Sequence, residues 1–192
     1  MRRSAPFVLA LISFAALAQS TTRIRGTIAR LDGDVLTVKT REGKEVKIQL
    51  APDVSVAVAK AATLSDIKPG TYVGSTAMKR ADGTLVAKEV HTLPPQAPAG
   101  HMPWDLEPGA TMTNANLVGV AQAAGGQQIT LEYKDGSQKI LVPAGTPIVT
   151  FVPGDRSALK PGETIFTTAR EADGKLSTQR IQVSKDGVRP AH

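Results

Sequence analysis

Residues Ile24 to Leu50 read IRGTIARLDGDVLTVKTREGKEVKIQL, and this stretch decides the fold. Ile24, Gly26 and Ile28 fall on one side of an extended chain, Arg25 and Thr27 on the other. Asp32-Gly33-Asp34 turns the chain into Val35–Thr40, where Leu36 and Val38 share a face. Glu42-Gly43 turns it again before Val46, Ile48 and Leu50. A period of two, broken by Gly/Asp turns roughly every eight to twelve residues, is the pattern of an antiparallel meander. The expected fold class is all-β.

The alternation runs on through Val54, Val56 and Val58, then gives way at Thr63-Leu64-Ser65-Asp66-Ile67. That segment reads as one helical turn, capped by Thr63 or Ser65, with Leu64 and Ile67 three apart to plug a core. Pro69-Gly70 ends it, and Tyr72–Arg80 and Leu85–Leu93 follow as strands joined at Asp82-Gly83. The same order then recurs. Gly26 aligns with Gly119, Leu36-Thr37-Val38 with Ile129-Thr130-Leu131, and Gly43 with Gly136, all at a shift of 93. Lys68-Pro69-Gly70 matches Lys160-Pro161-Gly162 at 92, and Asp82-Gly83 with Leu85 matches Asp173-Gly174 with Leu176 at 91. Matches that keep their order along the chain point to internal duplication.

Three strands, a short helix and two strands is the order of a five-stranded OB-type barrel; an SH3-like barrel or small sandwich is the alternative. The expected architecture is therefore two tandem five-stranded OB-like barrels, residues 19–93 and 114–185. A Pro-rich strap, residues 94–113, joins them, and residues 186–192 form a flexible tail. A half of this size is marginally stable alone, so the halves gain by packing together. Each copy resembles the small secreted β-barrel domains of bacteria that are classed as a domain family of unknown function. Gly26, Leu36-Thr37-Val38, Gly43, Leu64 to Gly70, Asp82-Gly83 and Leu85 carry the resemblance, and the same set recurs from Gly119 to Leu176. It implies an exported OB-like barrel and no catalytic residues.

The first eighteen residues read as a signal peptide. Arg2 and Arg3 precede the apolar run Ala5–Ala15, and Ala16-Leu17-Ala18 supplies the small-x-small site for cleavage before Gln19. The run is too short to span a bilayer, so no stable membrane insertion is expected after cleavage, and the address is periplasmic or secreted. The chain has no Cys, which excludes disulfides, Fe–S clusters and thiolate metal sites. Removing Arg2 and Arg3 takes the formal charge from +6 to +4, and no basic run concentrates it. That is a solvated surface rather than a nucleic-acid footprint.

Catalytic motifs are missing from the sequence. There is no GxSxG elbow to make use of Ser65 or Ser157, and His192 is the last residue. Asp32, Asp34, Asp53 and Asp66 fall mostly in turns, where Asp bonds its own backbone. Gly125-Gly126 leads into a strand, so it is a hairpin turn and not a phosphate loop. Pro94 to Thr113, PPQAPAGHMPWDLEPGATMT, holds the rarer chemistry: the only Trp, Trp104, with His101, Met102 and Met112. Thioether and imidazole donors suit Cu(I), and a Trp face can stack on a soft cation. This palette is similar to that of the exported OB-type copper/silver chaperones, although here there is no MxM pair. Met78 and His91 lie nearby in barrel strands.

Two functions are thus expected, neither of them enzymatic. The first is an exported binding or interaction module of the cell envelope without a cofactor, whose partner is an envelope protein or a small ligand. The alternative is a Cu(I)/Ag(I)-binding protein using His101, Met102, Trp104 and Met112, with copper as its ligand. In the first, Trp104 is an apolar anchor buried largely between the barrels. N-terminal sequencing of the exported protein is expected to begin at Gln19; a product retaining Arg2 and Arg3 would contradict the leader.

Overall fold

A computed structural model describes residues 20–190; the expected leader lies outside them. Alternation becomes twelve strands, joined largely by antiparallel hairpins. They are β1 (Ser20–Asp32), β2 (Val35–Thr40), β3 (Glu45–Ala61), β4 (Tyr72–Lys79), β5 (Leu85–Thr92), β6 (Gly100–Pro103) and β7 (Ala110–Ala123). β8 (Gly126–Tyr133), β9 (Gly136–Val142), β10 (Ile148–Gly154), β11 (Thr164–Ala172) and β12 (Lys175–Val183) complete the set. Among the described residues, no helix is long and apolar enough to cross a membrane. Single 3-10 turns stand at Leu64–Asp66 and Arg156–Ala158. The first is capped as expected, with the Asp66 carboxylate accepting from the Thr63 amide and hydroxyl, each at 2.8 Å.

The pairing, rather than the strands, departs from expectation. β1, β2 and β3 form a meander that β11 and β12 close into a five-strand barrel: β11 pairs antiparallel with β1, and β12 runs parallel to β3. The remaining strands repeat the scheme. β7, β8 and β9 form a meander, β4 pairs antiparallel with β7, and β5 joins β9 in parallel at Leu85–Ile140 and Val86–Leu141. Neither 19–93 nor 114–185 closes a circuit alone, where each had been expected to form its own barrel. Each circuit takes three strands from one side of the strap and two from the other.

The physical cause is β3. It runs for 17 residues without turning back, and its ladder with β12 slips at Leu50–Ser55, where Pro52 can donate no hydrogen bond. Its far end, Val56–Ala61, pairs with β10, which carries the chain onto the other circuit. That pairing is symmetric. Val149 faces Ala61 and Gly154 faces Val56, and Val56 and Val149, like Ala61 and Gly154, are 93 residues apart.

Two buried clusters follow the circuits. Ile24, Ile28, Leu36, Val38, Ile48 and Leu50 meet Ile165, Ile181 and Val183 in the first, plugged by Leu159 after the second 3-10 turn. Val73, Leu85 and Val90 meet Leu117, Ile129, Leu131 and Ile140 in the second, where Leu64 and Ile67 are the plug. Each plug lies in the circuit that the strand pair following it in the chain closes.

Two further expectations change. The strap is a hairpin: residues 100–103 form β6 against β7, whose first residues lie within the expected strap. The tail is folded through Pro190, which is buried, and Lys185 pairs with Val188 across a turn at Asp186-Gly187. Val188 packs on the cluster of Ala59, Val149 and Phe151, which draws the tail down.

Ile48 is fully buried in the first circuit. Ile48→Ala is expected to cost about 2 to 4 kcal/mol in urea unfolding. Because strands cross between the circuits, both are expected to melt in one transition. Two separated transitions would contradict the shared architecture.

Candidate functional site

The strap hairpin is built on one circuit and anchored to the other. At its base the Tyr72 hydroxyl donates to the Ala97 carbonyl at 3.0 Å, and the Asn114 amide donates to the Pro98 carbonyl at 2.9 Å. β6 pairs with β7, and the Trp104 amide extends that ladder by donating to the Ala110 carbonyl at 2.8 Å. Beyond Pro103 the tip reaches β1. Arg25 Nη2 donates to Asp105 Oδ1 at 2.8 Å, and Arg23 Nη1 lies 3.5 Å from Asp105 Oδ2. The Arg23 guanidinium sits 4.0 Å from the centre of the Trp104 indole. Arg25 lies 5.8 Å from the same indole and 5.2 Å from Phe166, within range of both aromatic faces.

The electrostatics agree with the geometry. Partial burial raises the Asp105 pKa, but the hydrogen bond and charge of Arg25, helped by Arg23, outweigh it and hold the carboxyl below its ordinary value. Lys88 and Glu107 add an ion pair at 3.1 Å on the other flank of the tip. The hairpin thereby frames an open cavity of about 700 Å3, lined by residues 101–111. Pro103, Trp104, Leu106 and Pro108 supply apolar walls, with His101, Asp105 and Glu107 as polar groups. Binding sites for small molecules commonly combine this size with this mixture.

The candidate residues are divided between two faces. His101 and Met102 are consecutive in β6, so their side chains point to opposite sides of the strand. His101 Nδ1 lies 2.8 Å from the Thr113 hydroxyl, and partial burial lowers its pKa. Met102 stands directly across from Met112, which in turn stands across from Thr76 of β4. Met112 is 2% exposed, and its sulfur is 4.0 Å from the Thr76 hydroxyl. Trp104 holds the next position of the same parity as Met102, and Met78 faces Ala110 beside it. The fold thus gathers Met78, Met102, Met112 and Trp104 onto one side, and leaves His101 on the other. Trp104 is half-buried, under guanidinium groups, where it had been expected to be largely buried between the barrels.

His91 proves to be structural scaffolding beneath this region. It is 3% exposed, lies 3.9 Å through Nδ1 from Glu89 Oε1, and rests on Gly74. A Cβ on Gly74 would meet His91 Nε2 at 2.5 Å, so the imidazole occupies room that only glycine leaves. Arg23, Arg25 and Asp105 carry the anchoring, and nothing in their sequence surroundings marks them. Arg25 fills an outward position of β1, where alternation alone predicts solvent.

The chain matches no family model, no curated protein and no solved structure.

Burial lowers the His91 pKa from 6.5 to about 4, so the fold holds it neutral while the unfolded chain protonates it. The unfolded state then binds more protons across that window, and stability is full above pH 6.5 and falls as pH drops toward 4. A loss of roughly 2 to 3 kcal/mol is expected, allowing for the attraction of Glu89. Urea titrations at stepped pH check this, and a profile flat across the window would contradict it.

Proposed function

We propose that the chain is an exported, non-enzymatic binding module of the cell envelope, acting in the periplasm or outside the cell. Its ligand sits in the cavity of the strap hairpin. The observation that carries this reading is that the hairpin is fixed at both ends, by β7 and by the Arg23/Arg25 anchor, while its walls remain open. A loop held rigid around an open, partly apolar cavity gives up little entropy on binding. Leu106 and Trp104 would be the apolar contacts, with Glu107 orienting the ligand.

The architecture belongs to the same proposal. The two circuits are a duplicated OB-like barrel whose copies have exchanged their last two strands. Support comes from the matched order of the two meanders, the parallel contact between third and fifth strand in each, and the symmetric β3–β10 pairing. Kinship with the small secreted barrel domains of unknown function is part of this reading.

One observation favours a second ligand class. Met102 and Met112 stand directly opposite each other, with Met78 and Trp104 on the same side, and thioethers hold Cu(I) or Ag(I). Such a site would rest on Met102, Met112 and Trp104, with His101 outside it.

A photo-crosslinking residue at Leu106 is expected to give a discrete adduct in the native envelope, lost on Trp104→Ala; a pattern equal to that from a control at exposed Gln179 would reject the cavity. Anaerobic Cu(I) titration separates the two ligand classes. Saturable quenching of Trp104, abolished by Met102→Leu, would establish the soft-metal reading, and unchanged emission would remove it.

A further inference from the structure

We infer that the open edge of β1 at Thr21 and Arg23 takes up an extended, acidic segment of a partner protein as an added antiparallel strand. This goes beyond the strap cavity and rests on main-chain groups that the cavity does not use. The second circuit shows what such an edge accepts. Leu117 donates its amide to the Thr71 carbonyl and accepts from the Gly70 amide; Ile28 makes the same two bonds, with Glu163 and Gly162. A bulge follows each of them, at Leu117–Gly119 in β7 and at Ile28–Arg30 in β1. Counting back from these two residues, Met112 and Ala110 of β7 hold the places of Arg23 and Thr21 of β1. On β7 that edge is covered: Met112 stands across from Met102 of β6, and the Ala110 carbonyl accepts from the Trp104 amide. On β1 it is open. β2 pairs with β1 only from Gly26 onward, and among the described residues no strand pairs with that edge at Thr21–Arg23.

Alternation along the ladder says which groups are open. Ile28 directs its amide and carbonyl toward β11, so Gly26, Ile24 and Thr22, in step with it, bond β11 as well. Thr21 and Arg23 point theirs the other way, where Ser20, Thr21, Thr22 and Arg23 are all exposed. An unpaired edge is a template for another chain, and an added strand gains main-chain hydrogen bonds there directly. Neither a proline nor a bulge blocks Ser20–Ile24. β6, which fills the matching edge of β7, is four residues long, so a stretch of this length suffices. Side chains set the partner's chemistry. Ile24 is buried in the first core and Thr22 shares its face, so the residues opposite them are apolar. Arg23 lies on the other face with Arg25, and Arg170 stands across from Thr21 on that same face. Among the described residues, the carboxylate paired with Arg23 and Arg25 is Asp105, which Arg25 holds at 2.8 Å and Arg23 at 3.5 Å. An acidic residue opposite Arg23 supplies it with a cross-strand partner of its own.

The test adds to the mature protein a short peptide alternating valine and glutamate, with its valine–lysine counterpart as control. Amide exchange followed by NMR reads the edge directly. In the protein alone, Thr21 and Arg23 are expected to exchange fast and Thr22 and Ile24 more slowly. The glutamate peptide is expected to protect Thr21 and Arg23, and to bind about tenfold more tightly than the lysine one. Thr21→Pro removes an outward amide that β11 does not use, so it is expected to keep Tm and to weaken the glutamate peptide about tenfold. Slow exchange at Thr21 and Arg23 without peptide overturns the proposal: the edge is then self-paired where sedimentation gives a dimer, and covered by the chain itself where it gives a monomer. Fast exchange that the glutamate peptide leaves unchanged overturns it too, as does equal binding of both peptides or binding that Thr21→Pro does not weaken. Should the variant fail to fold, the exchange pattern of the unmodified protein decides alone. No outcome touches the strap cavity, whose test reads an adduct at Leu106.

Discussion

A strand that does not turn back governs this molecule. β3 continues for 17 residues, pairing with β2 over its first part and with β10 over its last. A meander of three strands exposes two edges, and exposed edges must be covered. Since β3 has carried the following residues away, the strands that cover the first meander arrive from the far side of the strap. β11 and β12 close it, and β4 and β5 serve the second meander in return. The short 3-10 turns obey the same geometry, each plugging the circuit its chain has moved to.

The crossing of strands between the circuits fixes where the strap must run. β5 ends and β7 begins on the second circuit, so the intervening residues leave and return to the same sheet, and a hairpin is the economical path. Its tip then overhangs the first circuit, where Arg23 and Arg25 meet Asp105 and Trp104. Ion pairs at this exposure each contribute little. Their role is positional: they hold the cavity's rim against a body that β7 alone does not reach.

Strand positions were legible because alternation is local. Leu36, Val38, Ile48 and Leu50 announce a buried face within a few residues, and all four are buried. Partner choice was not, since a β11 that closes the first meander and one that closes its own are written with the same Ile165, Thr167 and Ala169. Only the length of β3 and the Pro52 break hint at the difference. The rare residues of the strap were correctly singled out, yet their grouping was not, because proximity in sequence placed His101 beside Met102 where a strand sets them apart. Met78, two strands away, joins Met102 and Met112 through register that no short window contains.

The pairing of strands across the strap is tested most directly by cutting the chain there. Pro95 and Gln96 are exposed, and a protease site placed between them would leave every strand intact. The account predicts that the two fragments stay associated in native buffer, co-eluting as one species and separating only when denaturant unfolds both circuits together. Fragments that part without denaturant, each with its own cooperative unfolding, would show two self-contained barrels and contradict it.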